Sequence, residues 1–146
     1  MIKSSITTKG HVRIELRGET GELKEVRDIP NMVVTAGLTW LAAGLVAGTE
    51  TIMSHMAVGT NAAAPALANT TLGTELARVA LTSGTAVSGV LTYVASFPAG
   101  TGTGALVEAG IFNGTPAGTM LARTTFAVVN KGASDSITIT WTITFS

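Results

Sequence analysis

The chain contains no cysteine. This excludes a disulfide framework and any thiolate metal site, and it suits synthesis in a reducing cytoplasm. Charge is almost as scarce. Asp, Glu, Lys and Arg make up 12% of residues, and nine cations balance nine anions. That is about half of the ~25% usual for a soluble domain. No surplus of positive charge is present to hold a polyanion, so a basic nucleic-acid arm is not expected. Aromatic residues are 5% of the chain and are not interleaved with Lys or Arg. A stacking platform for single-stranded nucleic acid is therefore disfavoured. Long hydrophobic runs are lacking too. The most apolar stretch, Met32 to Ala47, is broken by Thr35, Gly37, Thr39 and Gly44. It falls short of the roughly 20 residues that a membrane helix needs. Polar Ser and Thr follow Met1-Ile-Lys3, where a signal peptide would carry an apolar region. Neither a membrane nor a nucleic acid is an expected partner.

What is present is apolar. Hydrophobic residues are 46% of 146, and that length suits one domain with a real core. A neutral, charge-poor surface is poor at keeping molecules apart in solution, so a homo-oligomer is expected. The few charges are also unevenly placed. Lys3, Lys9, Arg13, Glu15, Arg17, Glu19, Glu22, Lys24, Glu25, Arg27 and Asp28 all precede Pro30, with the two signs mixed. This segment reads as solvated. Its cations Lys3, Lys9, Arg13, Arg17 and Arg27 are the candidate assembly contacts.

The last stretch sets the fold class. In residues 136–146, Ile137, Ile139, Trp141, Ile143 and Phe145 alternate with Thr138, Thr140, Thr142 and Thr144. Strand side chains alternate between faces, so this is a strand with one greasy side and one hydroxyl side. It needs neighbours and a lid. Residues 11–17 alternate in the same way. With the turn signal Gly18-Glu-Thr-Gly21 and residues 22–28, they predict a β-hairpin. Thr35 is the predicted N-cap of a helix over 35–47, with Leu38, Trp40, Leu41 and Leu45 as its apolar face and Gly48 as its stop. Further strands are predicted near 52–58, 87–97 (after a turn at Ser83-Gly84), 105–112 and 120–129. Asn113-Gly114 is a strong hairpin signal. Evenly spaced strands with one helix indicate a mainly β, single-domain antiparallel β-sandwich or jelly roll. Residues 1–30 are read as an arm and charged hairpin, and 31–146 as the sandwich body.

Catalytic constellations do not emerge. His11 and His55 sit in different strands with no acid beside them in sequence, so metal ligation or catalysis by either is disfavoured. No Ser lies in a Gly-x-Ser-x-Gly elbow. Gly100-Thr-Gly-Thr-Gly104 lacks the Lys and the following helix of a phosphate loop. Glu75, Arg78, Glu108 and Arg123 are charges set in apolar surroundings. A buried charge without a partner is costly, so Glu108 is expected to pair with Arg78 or Arg123. Neither enzymatic activity nor a cofactor nor a metal is expected.

Six stretches carry a resemblance: Asn31-Met-Val-Val-Thr-Ala-Gly-Leu38, His55-Met-Ala-Val-Gly-Thr60, Leu72-Gly-Thr-Glu-Leu-Ala-Arg78, Glu108-Ala-Gly-Ile-Phe112, Leu121-Ala-Arg-Thr-Thr-Phe126 and Ser134-Asp-Ser-Ile-Thr-Ile-Thr-Trp141. In this order, over residues 30–146, they resemble a family of small structural proteins of tailed bacteriophages. Its members are head decoration (cement) proteins or tail-fibre and collar components. The resemblance implies a non-enzymatic virion protein, a homotrimer on the capsid surface with the major capsid protein as its partner. The alternative it leaves open is a tail component used in host attachment.

Overall fold

The computed structural model describes residues 4–146. They form nine strands and one helix: β1 (Thr8–Arg17), β2 (Leu23–Val33), α1 (Thr35–Ala47), β3 (His55–Gly59), β4 (Glu75–Ala80), β5 (Ser83–Val87), β6 (Val90–Phe97), β7 (Gly104–Phe112), β8 (Met120–Lys131) and β9 (Ser136–Phe145). All pairings are antiparallel, in the order β4-β3-β7-β8-β2-β1-β9-β6-β5.

This single sheet curls over on itself. β2 makes the corner: its residues 23–31 pair with β1, whereas Met32 and Val33 pair with Arg123 and Ala122 of β8. Pro30 lies just before the crossing, where a missing N–H costs the ladder least. The two edge strands, β4 and β5, are consecutive in sequence and joined only by Leu81-Thr82. That link spans the seam where the curled sheet nearly meets itself. Leu81 N–H donates to Ser54 O (2.9 Å) and Thr82 N–H to Val94 O (2.7 Å).

The alternation read from the sequence becomes the core. Val12, Ile14 and Leu16 of β1, Phe97 of β6, and Ile137, Ile139, Trp141 and Ile143 of β9 face inward. Met56, Val58, Leu106, Ile111, Leu121 and Val129 meet them from the opposite half. Burying each such side chain contributes about 1.5–3 kcal/mol. Thr138, Thr140, Thr142 and Thr144 stand half-exposed on the other side.

Several expectations need correction. The N-terminal hairpin belongs to the same sheet as residues 31–146. β1 lies between β2 and β9, and its inner face is core. The boundary placed at 30/31 falls inside β2, because that one strand serves both halves. Ser83-Gly84 is not a turn but the start of β5. The turn is Ser88-Gly89, with φ of 52° and 77°, the doubly positive geometry of a two-residue hairpin. Asn113-Gly114 opens a longer connection over 113–119, closed by Asn113 N–H donating to Thr119 O (3.2 Å) and Thr119 N–H to Asn113 Oδ1 (2.6 Å).

The helix occupies 35–47 and ends at Gly48 in the left-handed region (φ 65°). Its N-cap is Val34, not Thr35, and no side chain caps it. Its first N–H is satisfied by the fold instead: Thr35 N–H donates to Leu67 O (2.9 Å). Gly37 is its only fully buried residue. A Cβ there would stand 2.3 Å from Leu121 O, so glycine lets the helix backbone lie directly on β8. The expected apolar face does not turn inward as a unit. Trp40 and Leu41 are half-buried, whereas Leu38 and Leu45 are exposed. A helix apolar on all sides has no polar face to give to water, so part of its grease stays outside.

Candidate functional site

Glu108 and Arg123 are diagonal neighbours on β7 and β8, since Gly110 stands opposite Arg123 in the register. Ala109 and Ile111 point into the core, so Glu108 points outward. It is nonetheless fully buried, because the connection from β3 to β4, residues 60–74, folds over it. Glu108 Oε1 accepts from Thr74 N–H (2.8 Å) and Asn61 N–H (3.1 Å). Oε2 accepts from Gly73 N–H (2.9 Å), Arg123 Nη2 (2.9 Å) and Arg123 Nε (3.2 Å). Arg123 Nη1 donates to Asn69 Oδ1 (3.2 Å). Asn61 and Asn69 then fix the loop, accepting at Oδ1 from Ala63 and Ala66 N–H, each at 2.8 Å. The loop also needs a bare backbone at Gly59, where a Cβ would meet Thr74 O at 2.2 Å. The pair is thus a staple for a long connection, with its hydrogen-bonding capacity spent on that loop.

Burial on its own would raise the Glu108 pKa. The N–H groups of Thr74 and Gly73, the Arg123 guanidinium and Asn61 N–H outweigh it, and the carboxyl sits below its ordinary value of 4.5. A carboxylate whose folded pKa is depressed stabilises the fold fully above its unfolded pKa, and that stability is lost as pH falls through the folded value. Asp135, lowered mainly by Gly132 N–H and then by Lys24, acts in the same direction. Melting temperature is therefore expected to hold steady from pH 7 to about 5 and to fall progressively below about 4.5. A pH series of thermal melts checks this.

The other expected partner of Glu108, Arg78, is engaged elsewhere. Its Nε and Nη2 donate to Glu75 (3.1 and 2.6 Å) and its Nη1 donates to Gly114 O and Ala117 O (2.7 and 2.8 Å). The guanidinium lies 3.8 Å from the Phe112 ring centroid, a cation–π contact. It holds the 113–119 connection as Arg123 holds 60–74. The sequence did not single out Lys131, which is buried and donates to Pro98 O (2.9 Å). Burial lowers its pKa, against Asp135 nearby. Nor did it single out Asn61 and Asn69. Their only signal was an Asx residue at each end of a small-residue loop.

The candidate assembly cations divide differently. Arg13 pairs with Glu15 (3.0 Å) and Asp28 (3.2 Å), Arg17 with Glu15 (3.2 Å), and Arg27 with Glu25. Lys9 is exposed. Lys3 lies outside the described residues. His11, with no acid beside it in sequence, has Asp28 Oδ1 at 3.3 Å across the ladder. His55 Nδ1 shares a hydrogen bond with Ser54 Oγ (2.8 Å). Among the described residues, no three His, Asp or Glu side chains are placed to hold one metal ion, and no helix is long and apolar enough to cross a membrane.

The surface that stands out is apolar. Leu45, Val46 and Ile52 are 80%, 91% and 75% exposed. From Met32 to Thr49 there is no charged residue. Isolated exposed hydrophobics are ordinary, but several so close in the chain suit a contact surface, with Glu50 beside Gly44 of α1 as the nearest charge in sequence. Beside it, a groove of about 460 Å³ runs between α1 and the β5–β6 hairpin, lined by Trp40, Ile52, Met53, Leu81, Leu91 and Tyr93 among others. Trp40 Nε1 donates to Thr51 O (2.8 Å), which fixes its indole in the groove wall. Neither protein-family models nor curated proteins nor solved structures provide a match to this chain.

Proposed function

We propose that this chain is a non-enzymatic structural subunit of a tailed-bacteriophage virion, an oligomeric decoration protein that clamps the head shell. The observation that carries the reading is the exposed apolar end of α1, Leu45 and Val46, with Ile52 just beyond Glu50, which calls for cover by other protein. The ordered resemblance over residues 30–146 supplies the setting. The stapled loops and the packed core supply a block suited to spanning subunit junctions. Such a clamp works by mass action: contacts made only with the closed shell bias it against opening, and several contacts per oligomer multiply the effect. The trimer and the major capsid protein are the assembly state and partner that this reading names.

Quantitative mass spectrometry of purified particles from the encoding phage tests it. A shell clamp is expected at on the order of hundreds of copies per particle, following the symmetry of a closed shell. A dozen or fewer copies would move the assignment to the tail-fibre or collar alternative. None would overturn the virion reading altogether.

A further inference from the structure

We infer that the free edge of β5, together with the apolar groove beside it, receives the N-terminal arm of a second copy of this chain as an added strand. The inference deepens the oligomeric part of the proposed function. It is tested on the purified chain, so its failure and that of the virion assignment are read separately.

The receiving side is built for a strand. β5 closes one end of the sheet order, and all five of its residues, Ser83-Gly-Thr-Ala-Val87, are exposed. It lacks the Lys, Pro or bulge that usually blunts such an edge. Its outward hydrogen-bonding groups follow from the register. Across the two-residue turn Ser88-Gly89, Val87 opposes Val90, and Thr85 and Ser83 oppose Thr92 and Val94. In a hairpin of this type the residues flanking the turn exchange their hydrogen bonds, and every second pair repeats this. Val87, Thr85 and Ser83 therefore spend their N–H groups on β6, while Gly84 and Ala86 present theirs outward. Gly84 and Ala86 also share the inner face with Tyr93 and Leu91, which line the groove. A strand laid along β5 would drop every second side chain between Trp40, Ile52 and Tyr93. It would fill the seam that the curled sheet leaves open.

The chain carries a matching donor. Thr7 and Ser146 exchange backbone hydrogen bonds (2.7 and 3.0 Å), so the backbone leaves β1 extended. Beyond that point Ser4, Ser5 and Ile6 have no sheet partner, and Ile6 is 78% exposed. Counting back by twos from Val12 on the inner face passes Gly10 and Thr8 and reaches Ile6, so an exposed apolar side chain continues that face past the sheet. Ser4 to Ile6 extend about 10 Å, enough to lie along Gly84 to Ala86 of β5.

The arm cannot serve its own β5. The order β1-β9-β6-β5 puts the free side of β5 four strand spacings from β1, which is about 19 Å before any pairing begins. The donor must be another copy. Such a contact joins two different patches, so it closes into a ring when the rotation permits.

Sedimentation equilibrium on the full chain and two single variants tests the inference. Ala86→Pro removes an outward N–H and leaves the bonds to β6 intact. Ile6→Asp puts a charge on the arm at an exposed position that the single subunit does not need. The wild type is expected to associate, and each variant to dissociate at least about tenfold more readily, with melting temperature little changed. Because the chain has no native cysteine, mixing Ile6→Cys with Ala86→Cys under mild oxidation gives a second reading. Disulfide-linked mixed dimers are expected. Three results would overturn the inference: a wild type that stays a single subunit at its highest soluble concentration, variants that associate as tightly as the wild type, or loss of association in Ala86→Pro but not in Ile6→Asp. The last would mean that the edge meets some other strand. Should Ala86→Pro not fold, Ile6→Asp and the cross-link decide.

Discussion

Glu108→Gln is expected to destabilise the fold by about 3–5 kcal/mol, the usual cost of removing one partner from a buried ion pair. At this chain length that corresponds to a fall of roughly 10 °C in melting temperature. The change is nearly isosteric, so packing does not cause the loss. The carboxylate accepts five N–H groups from four residues. A Gln amide offers one oxygen and one NH2. In either orientation its NH2 faces donors: Gly73 and Arg123 on one side, or Thr74 and Asn61 on the other. Arg123, nearly fully buried, is also left without its counter-charge. Replacing both members with Leu should recover part of the loss, because no unpaired charge then remains. Thermal and denaturant unfolding of the single and double variants checks this. A single variant as stable as the wild type would mean that the staple is not what holds residues 60–74.

Trp141→Ala is expected to cost a similar amount, about 3–5 kcal/mol. Trp141 is completely buried on β9, with Val12 beside it on β1 and Tyr93 on β6. With the Asn31 amide turned to suit its neighbours, the Trp141 indole N–H donates to Asn31 Oδ1 (3.1 Å) at the corner where β2 changes partners. Truncation therefore opens a cavity and also frees a polar group at the fold's most constrained turn. Thr142→Ala, on the half-exposed opposite face, serves as the control and is expected to cost less than ~1 kcal/mol. Equal effects at Trp141 and Thr142 would contradict the two-sided character of β9.

That two-sided character was legible in the sequence, because alternation depends only on the strand's own residues. The helix span and its stop at Gly48 were legible for the same local reason. The need for Glu108 to pair was legible from the cost of a buried charge. The choice of Arg123 over Arg78 was not, since it depends on the β7–β8 register, which sets Arg123 diagonal to Glu108. Alternation says which face of a strand is greasy, not which strand lies beside it. This is why residues 1–30 were set apart from 31–146 when β1 sits near the middle of the sheet. β5 was missed because Ser83-Gly84 has turn-forming composition, and edge pairing with β6 overrides it. The helix's outward Leu45 and Val46 could not be anticipated either. A segment apolar on all sides carries no information about which side is covered.

On the proposed reading, this outward apolar surface is an assembly contact. Amide hydrogen exchange across Leu38–Val46, measured as protein concentration is raised, tests it directly. Assembly predicts that protection of α1 grows with concentration, while the amides of β9, already sheltered in each subunit, stay constant. Exchange in α1 that remains fast and independent of concentration would contradict it.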